Sequence, residues 1–233
     1  MAKRPIYIPQ VEGDCFVNTE YVDFEWFPGF SITQKQKSIK SFHKEAKKIL
    51  GDINILEISS KSEIEIGKKL SAFNLLITTT KYKKTFSVES AFQASKVFQN
   101  GGPFIDLLEK TSREAKKDGR LKKSGRLLKF KFYNTEWELE PKTLFYDWLY
   151  IKALLNTLEL KKKILEYDAF TDIEFNPEKS INCQAYSAAL FVSLSKRNIL
   201  DKTLSSVETY TEAIKSSLIN NAYEDASSQK KLF

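Results

Sequence analysis

The chain has one histidine, His43, and only two cysteines, Cys15 and Cys183, among its 233 residues. A single histidine excludes His-rich zinc sites, and it excludes Ser-His-Asp and Cys-His nucleophile systems unless His43 itself serves. The two cysteines are far apart and belong to no CxxC pattern, which favours a reduced, cytoplasmic protein over a disulfide-framed secreted one. No segment approaches the roughly 20 apolar residues of a membrane span, and no signal-length apolar run follows the basic start MAKRPIYIPQ. There is no repeat, low-complexity tract or Pro/Gly-rich linker, and no GxGxxG, Walker-type loop or metal-ligand motif. No metal and no cofactor are expected, so acid–base chemistry falls to carboxylates, lysines or tyrosines.

What is present is apolar and basic. A composition 42% hydrophobic and 13% aromatic is ample for a packed core. The 37 Lys and Arg against 30 Asp and Glu leave +7, which favours an anionic partner. Much of that charge lies in AKKDGRLKKSGRLLKFKF, where Lys116, Lys117, Arg120, Lys122, Lys123, Arg126, Lys129 and Lys131 are opposed mainly by Asp118. Such a run is either a solvated surface or a set of salt-sensitive phosphate contacts.

Apolar spacing from Ile32 to Leu50 predicts an amphipathic helix ended by Gly51. INILEIS and AFNLLITTT have strand character. A helix carrying Glu89 and running up to the NGGP stop places Val88, Ala91, Phe92, Ser95 and Phe98 on a buried stripe. Glu89, Gln93 and Lys96 then fall within roughly 60° of one another beside it, where buried wall meets water. GRLLKFKFYNTEWELEP reads as a hairpin about Asn134-Thr135, and Pro141 suits the first turn of the next helix, in which Trp148 is core. Residues 170–182 read as a long loop, residues 184–197 as a helix, and residues 204–218 as a last helix. The fold class is α+β, helix-dominated with short strands, as one compact domain over residues 1–200; a C-terminal helix and polar tail occupy residues 201–233.

SAFNL followed by FSVESAFQASK resembles the NADAR family, also called YbiA-like. Ser71 and Phe73 match its Ser-x-Phe segment, and Glu89, Phe92, Gln93, Ala94 and Lys96 match its Glu-x-x-Phe-Gln-Ala-x-Lys pattern. SREAKKDGR, Trp137 and YDAFTD follow in the family's order, so the likeness covers a core of about residues 67–197. Within the family the sequence is most similar to NADAR antitoxins encoded beside DarT-type DNA ADP-ribosyltransferases. It shares with them phrases such as FPGFSITQKQKSI, LEPKTLFYDWLYI and TDIEFNPEKSINCQA, and residues 1–66 are the part peculiar to that subfamily. Thr171 stands where many members have Trp or Gly, and Cys183-Gln184 follow Asn182 where Leu-Gly is common.

The resemblance implies removal of ADP-ribose from guanine bases of DNA, single-stranded or flipped out, and a functional pairing with a DarT-type toxin. The alternatives are N-glycosidase action on a free nucleotide or riboflavin intermediate, and a non-catalytic module that binds ADP-ribose, nucleic acid or the toxin. Under the first reading Glu89, Lys96 and Asp168 are catalytic. Glu89 stabilises an oxocarbenium-like sugar or activates water, Lys96 holds a phosphate or hydroxyl or forms a Schiff base, and Asp168 is a second acid–base group. Phe73 and Trp137 are stacking walls, Gln93, Asp172 and Asn182 contact sugar, and Arg120 and Arg126 grip pyrophosphate. The tail QKKLF, Gln229 to Phe233, has the form of a sliding-clamp-binding peptide.

Overall fold

The computed structural model describes residues 1–79 and 83–217; the clamp-like tail lies outside the described residues. Two strands, β1 (Ala2–Pro9) and β2 (Val17–Phe24), precede α1 (Ile32–Leu50), β3 (Ile55–Glu57) and α2 (Glu65–Lys69). Next come β4 (Leu76–Thr78), β5 (Thr85–Ser87), α3 (Val88–Ala94), β6 (Lys96–Phe98), α4 (Ser112–Lys117) and α5 (Arg120–Lys123). The hairpin β7 (Leu127–Phe132) and β8 (Thr135–Trp137) leads to α6 (Leu144–Leu155), α7 (Leu158–Lys163) and β9 (Ala169–Thr171). The described chain closes with α8 (Gln184–Lys196), α9 (Leu200–Thr203) and α10 (Val207–Ser216). The result is the helix-dominated α+β fold with short strands that the sequence predicts.

The main sheet has the order β2-β1-β9-β3, with β1 antiparallel to β2 and β9, and β3 parallel to β9. α1 follows the predicted bounds because Ser31 caps its first turn and Gly51, at φ 86°, ends it. Its buried stripe of Ile39, Phe42 and Ala46 packs on Ile6, Val22 and Phe24, with the Phe24 and Phe42 rings stacked 4.7 Å apart. A larger core joins α3, α6 and α8. Gly67 is needed where α2 passes close to the end of β3, since a Cβ there would strike the Glu57 carbonyl.

Four local readings change. The helix with Glu89 ends at Ala94: the Ser95 hydroxyl turns back onto the Ala91 carbonyl at 2.7 Å, and β-prone Lys96–Phe98 pairs with β7 instead. The hairpin turns one residue earlier than expected, at Tyr133-Asn134, with Tyr133 at φ 52°. Pro141 lies outside α6, which begins at Leu144, and Trp148 is half-buried against Trp137 rather than core. The predicted last helix starts later than expected, as α10 from Val207 where Ser206 caps it, and the short α9 precedes it as a separate turn. The β1–β2 hairpin has no counterpart in the sequence reading.

Asp147 in α6 is fully enclosed, held by the hydroxyls of Thr143 and Ser187. Burial pushes its pKa up to about 7 against those two hydrogen bonds. The folded protein therefore keeps a proton that the unfolded chain releases, and this group's contribution to stability declines as pH rises from about 4 to about 7. Asp147→Asn should flatten that part of the profile, read as the urea midpoint at pH 4.5 and pH 7.5.

Candidate functional site

A cleft of about 710 Å³ opens where α3, the Ser71–Asn74 turn, α4 and the loop after β9 meet. Its size suits a nucleotide-scale ligand. The floor is α3, whose first turn is fixed by backbone bonds from Val88 N–H to the Leu75 carbonyl and from Glu89 N–H to the Ala72 carbonyl, each 2.9 Å. Ser87 caps the helix through Ser90 N–H at 3.0 Å. Glu89 is 5% exposed, and Gln93 Nε2 donates to its Oε1 at 2.8 Å.

Two ammonium groups face that carboxylate. Lys116 Nζ lies 3.7 Å from Glu89 Oε1 and 5.1 Å over the Phe73 ring. Lys96 Nζ lies 4.9 Å over the Phe92 ring, which Tyr146 meets edge-on at 5.1 Å. Burial lowers the Lys96 pKa to about 8, with Glu89 opposing and Lys116 adding to the shift. Lys96 reaches the cleft from the first residue of β6, two residues beyond the end of the helix that carries Glu89 and Gln93. Gly102, at φ 89°, lets the chain pass against the Lys96 carbonyl, where a Cβ would collide.

The opposite wall is a carboxylate cluster. Asp172 accepts from Glu174 N–H at 3.0 Å and from Gln184 Nε2 at 2.9 Å. Gln184 also donates to the Ile58 carbonyl at 2.7 Å and accepts from Ala72 N–H at 2.6 Å, so one side chain ties three segments of the rim together. Behind it, Glu57 accepts from the Thr171 hydroxyl and from Ile173 N–H. Burial raises both carboxyl pKa values, with the charge of Glu57 adding to the shift at Asp172 and that of Glu174 to the shift at Glu57. His43 Nε2 meets the Thr171 hydroxyl at 2.8 Å; because that hydroxyl donates to Glu57, we assign His43 as the donor. Burial, helped by Lys47, pushes the His43 pKa down to about 4, so the one histidine is neutral and braces the wall from behind.

Of the residues proposed from sequence, Glu89, Gln93, Lys96, Phe73, Asp172 and Asn182 line this cleft. Asp168 does not: its carboxylate accepts from Asn54 N–H at 2.9 Å, next to β3. Trp137 is 3% exposed and packed between Phe145 and Trp148. Arg120 grips Asp106 and Asp118 and lies 4.6 Å over Phe104, while Arg126 is exposed on the β7 side. The basic run is therefore more heavily neutralised than its sequence suggests, because Glu136 also holds Lys129 and Lys131. Among the described residues, Lys117, Lys122, Lys123 and Arg126 enter no ion pair. The cleft groups missed from sequence include Lys61, Arg113, Lys116, Tyr146, Lys179 and the bridging Gln184. Arg113 and Lys116 carried a signal in their spacing of three, which puts both on one face of α4.

Fold and cleft together describe an α+β protein with a carboxylate-floored, cation-rimmed ligand pocket. Residues 2–224 match the family model described as DarT1-associated NADAR antitoxin, and the chain belongs to that family. Membership makes it an antitoxin paired with a DarT-type toxin. No curated protein matches the chain closely enough to count as a relative. No helix among the described residues is long and apolar enough to cross a membrane.

Gln184→Ala should leave the Ala72 N–H and Ile58 carbonyl unpaired. The expected loss is about 1–3 kcal/mol of stability by urea denaturation, with Gln184→Glu recovering only the bond from Ala72.

Proposed function

We propose that the chain is an ADP-ribosyl-DNA glycohydrolase that removes ADP-ribose from guanine, and that its antitoxin role is enzymatic reversal. The observation that carries this reading is the buried Glu89 carboxylate, hydrogen-bonded by Gln93 and flanked by Lys96 and Lys116, on the floor of a nucleotide-sized cleft. Breaking the C–N bond at the anomeric carbon of a ribose develops positive charge on the sugar and leaves an electron pair on the base nitrogen. A carboxylate beside that carbon stabilises the charge and orients the attacking water, whose oxygen becomes the new anomeric hydroxyl. The departing nitrogen needs a proton, and an ammonium with a pKa near 8 is well placed on the acidity scale to give one at neutral pH.

The rest of the cleft suits the rest of that substrate. Phe73, with Lys116 across its face, offers a flat apolar surface for a base. Lys61, Arg113 and Lys179 stand at the rim, where phosphates would lie. A guanine inside a duplex would have to leave the stack to enter. The unpaired Lys117, Lys122, Lys123 and Arg126 lie along α4, α5 and the start of β7, which would hold the DNA backbone. A depressed Lys96 pKa also favours a second chemistry, attack of the free amine on the opened sugar aldehyde to form a Schiff base.

Incubation with an oligonucleotide carrying ADP-ribose on guanine, followed by mass shift, tests the proposal. Wild type should release ADP-ribose, and Glu89→Gln should be slower by about 10²- to 10⁴-fold while remaining folded. Turnover of free nucleotides with none on modified DNA would move the activity to a small-molecule substrate. If Lys96 acts as an ammonium, the rate should fall above about pH 8; a borohydride-trapped adduct on Lys96 would assign the Schiff base instead. Lys122→Glu with Lys123→Glu should weaken DNA binding about tenfold and reduce its salt slope by roughly 2.

A further inference from the structure

Gln93 and Ser71 line the cleft, are 6% and 2% exposed, and each holds a polar atom with no hydrogen-bond partner among the described residues. These atoms are Gln93 Oε1 and the Ser71 hydroxyl. The orientation of the Gln93 amide is not free: its nitrogen donates to Glu89 Oε1 at 2.8 Å, and flipping it would set oxygen against carboxylate oxygen. Gln93 Oε1 is therefore an obligate acceptor beside the carboxylate, and a shielded acceptor left unpaired costs about 1–3 kcal/mol. The Ser71 hydroxyl sits at the turn whose next residue, Ala72, receives the Glu89 N–H.

We propose that Gln93 Oε1, backed by the Ser71 hydroxyl, reads the 2-hydroxyl of the ribose held at Glu89, so that the pocket takes ribose and rejects 2-deoxyribose. This rests on the preceding reading that the cleft holds ADP-ribose. The 2-hydroxyl is the O–H nearest the anomeric carbon, so a carboxylate placed at that carbon brings its neighbour in α3 to that hydroxyl. The discrimination has a chemical purpose. A guanine carrying ADP-ribose in DNA is bonded to two sugars, the added ribose and the deoxyribose of the strand. Hydrolysis at the first restores the base, whereas hydrolysis at the second leaves an abasic site. The two sugars differ at the 2-position, and a site built to hydrogen-bond a hydroxyl rejects the analogue lacking it because its own polar group stays unpaired.

Titration calorimetry with ADP-ribose and with its analogue 2-deoxy in that same ribose tests this without relying on turnover. Wild type should bind the deoxy analogue at least about tenfold more weakly. Gln93→Met, similar in length but without the acceptor, should bring the two affinities within about twofold, and Ser71→Ala should narrow the gap in part. Equal binding of both probes by wild type, or an undiminished gap in Gln93→Met, would overturn the inference while leaving the ADP-ribose pocket intact. Binding of neither probe by wild type would overturn both.

Discussion

The cleft depends on one constraint: a carboxylate must be kept out of water yet not left bare. Glu89 is placed by its own backbone N–H on Ala72, its helix is capped by Ser87, and its side chain is met by Gln93 and approached by Lys116. Enclosing a charge is tolerable only when it is hydrogen-bonded and paired, and the surroundings supply both. The same surroundings hold Lys96 above Phe92 with its proton easier to lose than usual. A buried acid and a buried base within one cleft are the groups that bond cleavage at an anomeric carbon calls for.

The second wall has a different logic. Asp172 and Glu57 are carboxyls whose charges oppose one another, and the hydroxyl of Thr171, the ring of His43 and the amide of Gln184 surround them with hydrogen bonds. The N-terminal segment contributes directly. His43 comes from α1, and Lys35 of the same helix pairs with Glu174 at 3.2 Å while lying 4.6 Å over Trp26. These N-terminal residues thus brace the loop that closes the cleft, which ties the first third of the chain to the site. Thr171 and Gln184 both stand in this wall.

Much of the fold was legible because its signals were local. α1 had caps and a clean apolar stripe, α8 had the apolar stretch Ala188–Val192, and the β7–β8 hairpin had alternation on both sides of a turn. The β1–β2 pair was not, because its strands earn burial on one face only after α1 folds over them, which is a tertiary effect. α3 was drawn too long for a similar reason: Lys96–Phe98 has helical spacing on paper, but the partner strand β7 decides its conformation. At the site, Glu89, Gln93 and Phe73 were legible through a spaced motif, whereas Gln184 acts through three contacts 112 or more residues away in two cases, which no local pattern records. Asp168 and Trp137 lay in motif-like surroundings, yet one caps the Asn54 N–H and the other fills core space.

The most direct test of the central claim is a crystal structure of the Glu89→Gln protein with ADP-ribose. The account predicts the anomeric carbon of the distal ribose about 3–4 Å from the side chain at position 89, with the pyrophosphate toward Lys61, Arg113 and Lys179. ADP-ribose seated elsewhere, or lying in the cleft with its anomeric carbon turned away from position 89, would contradict it.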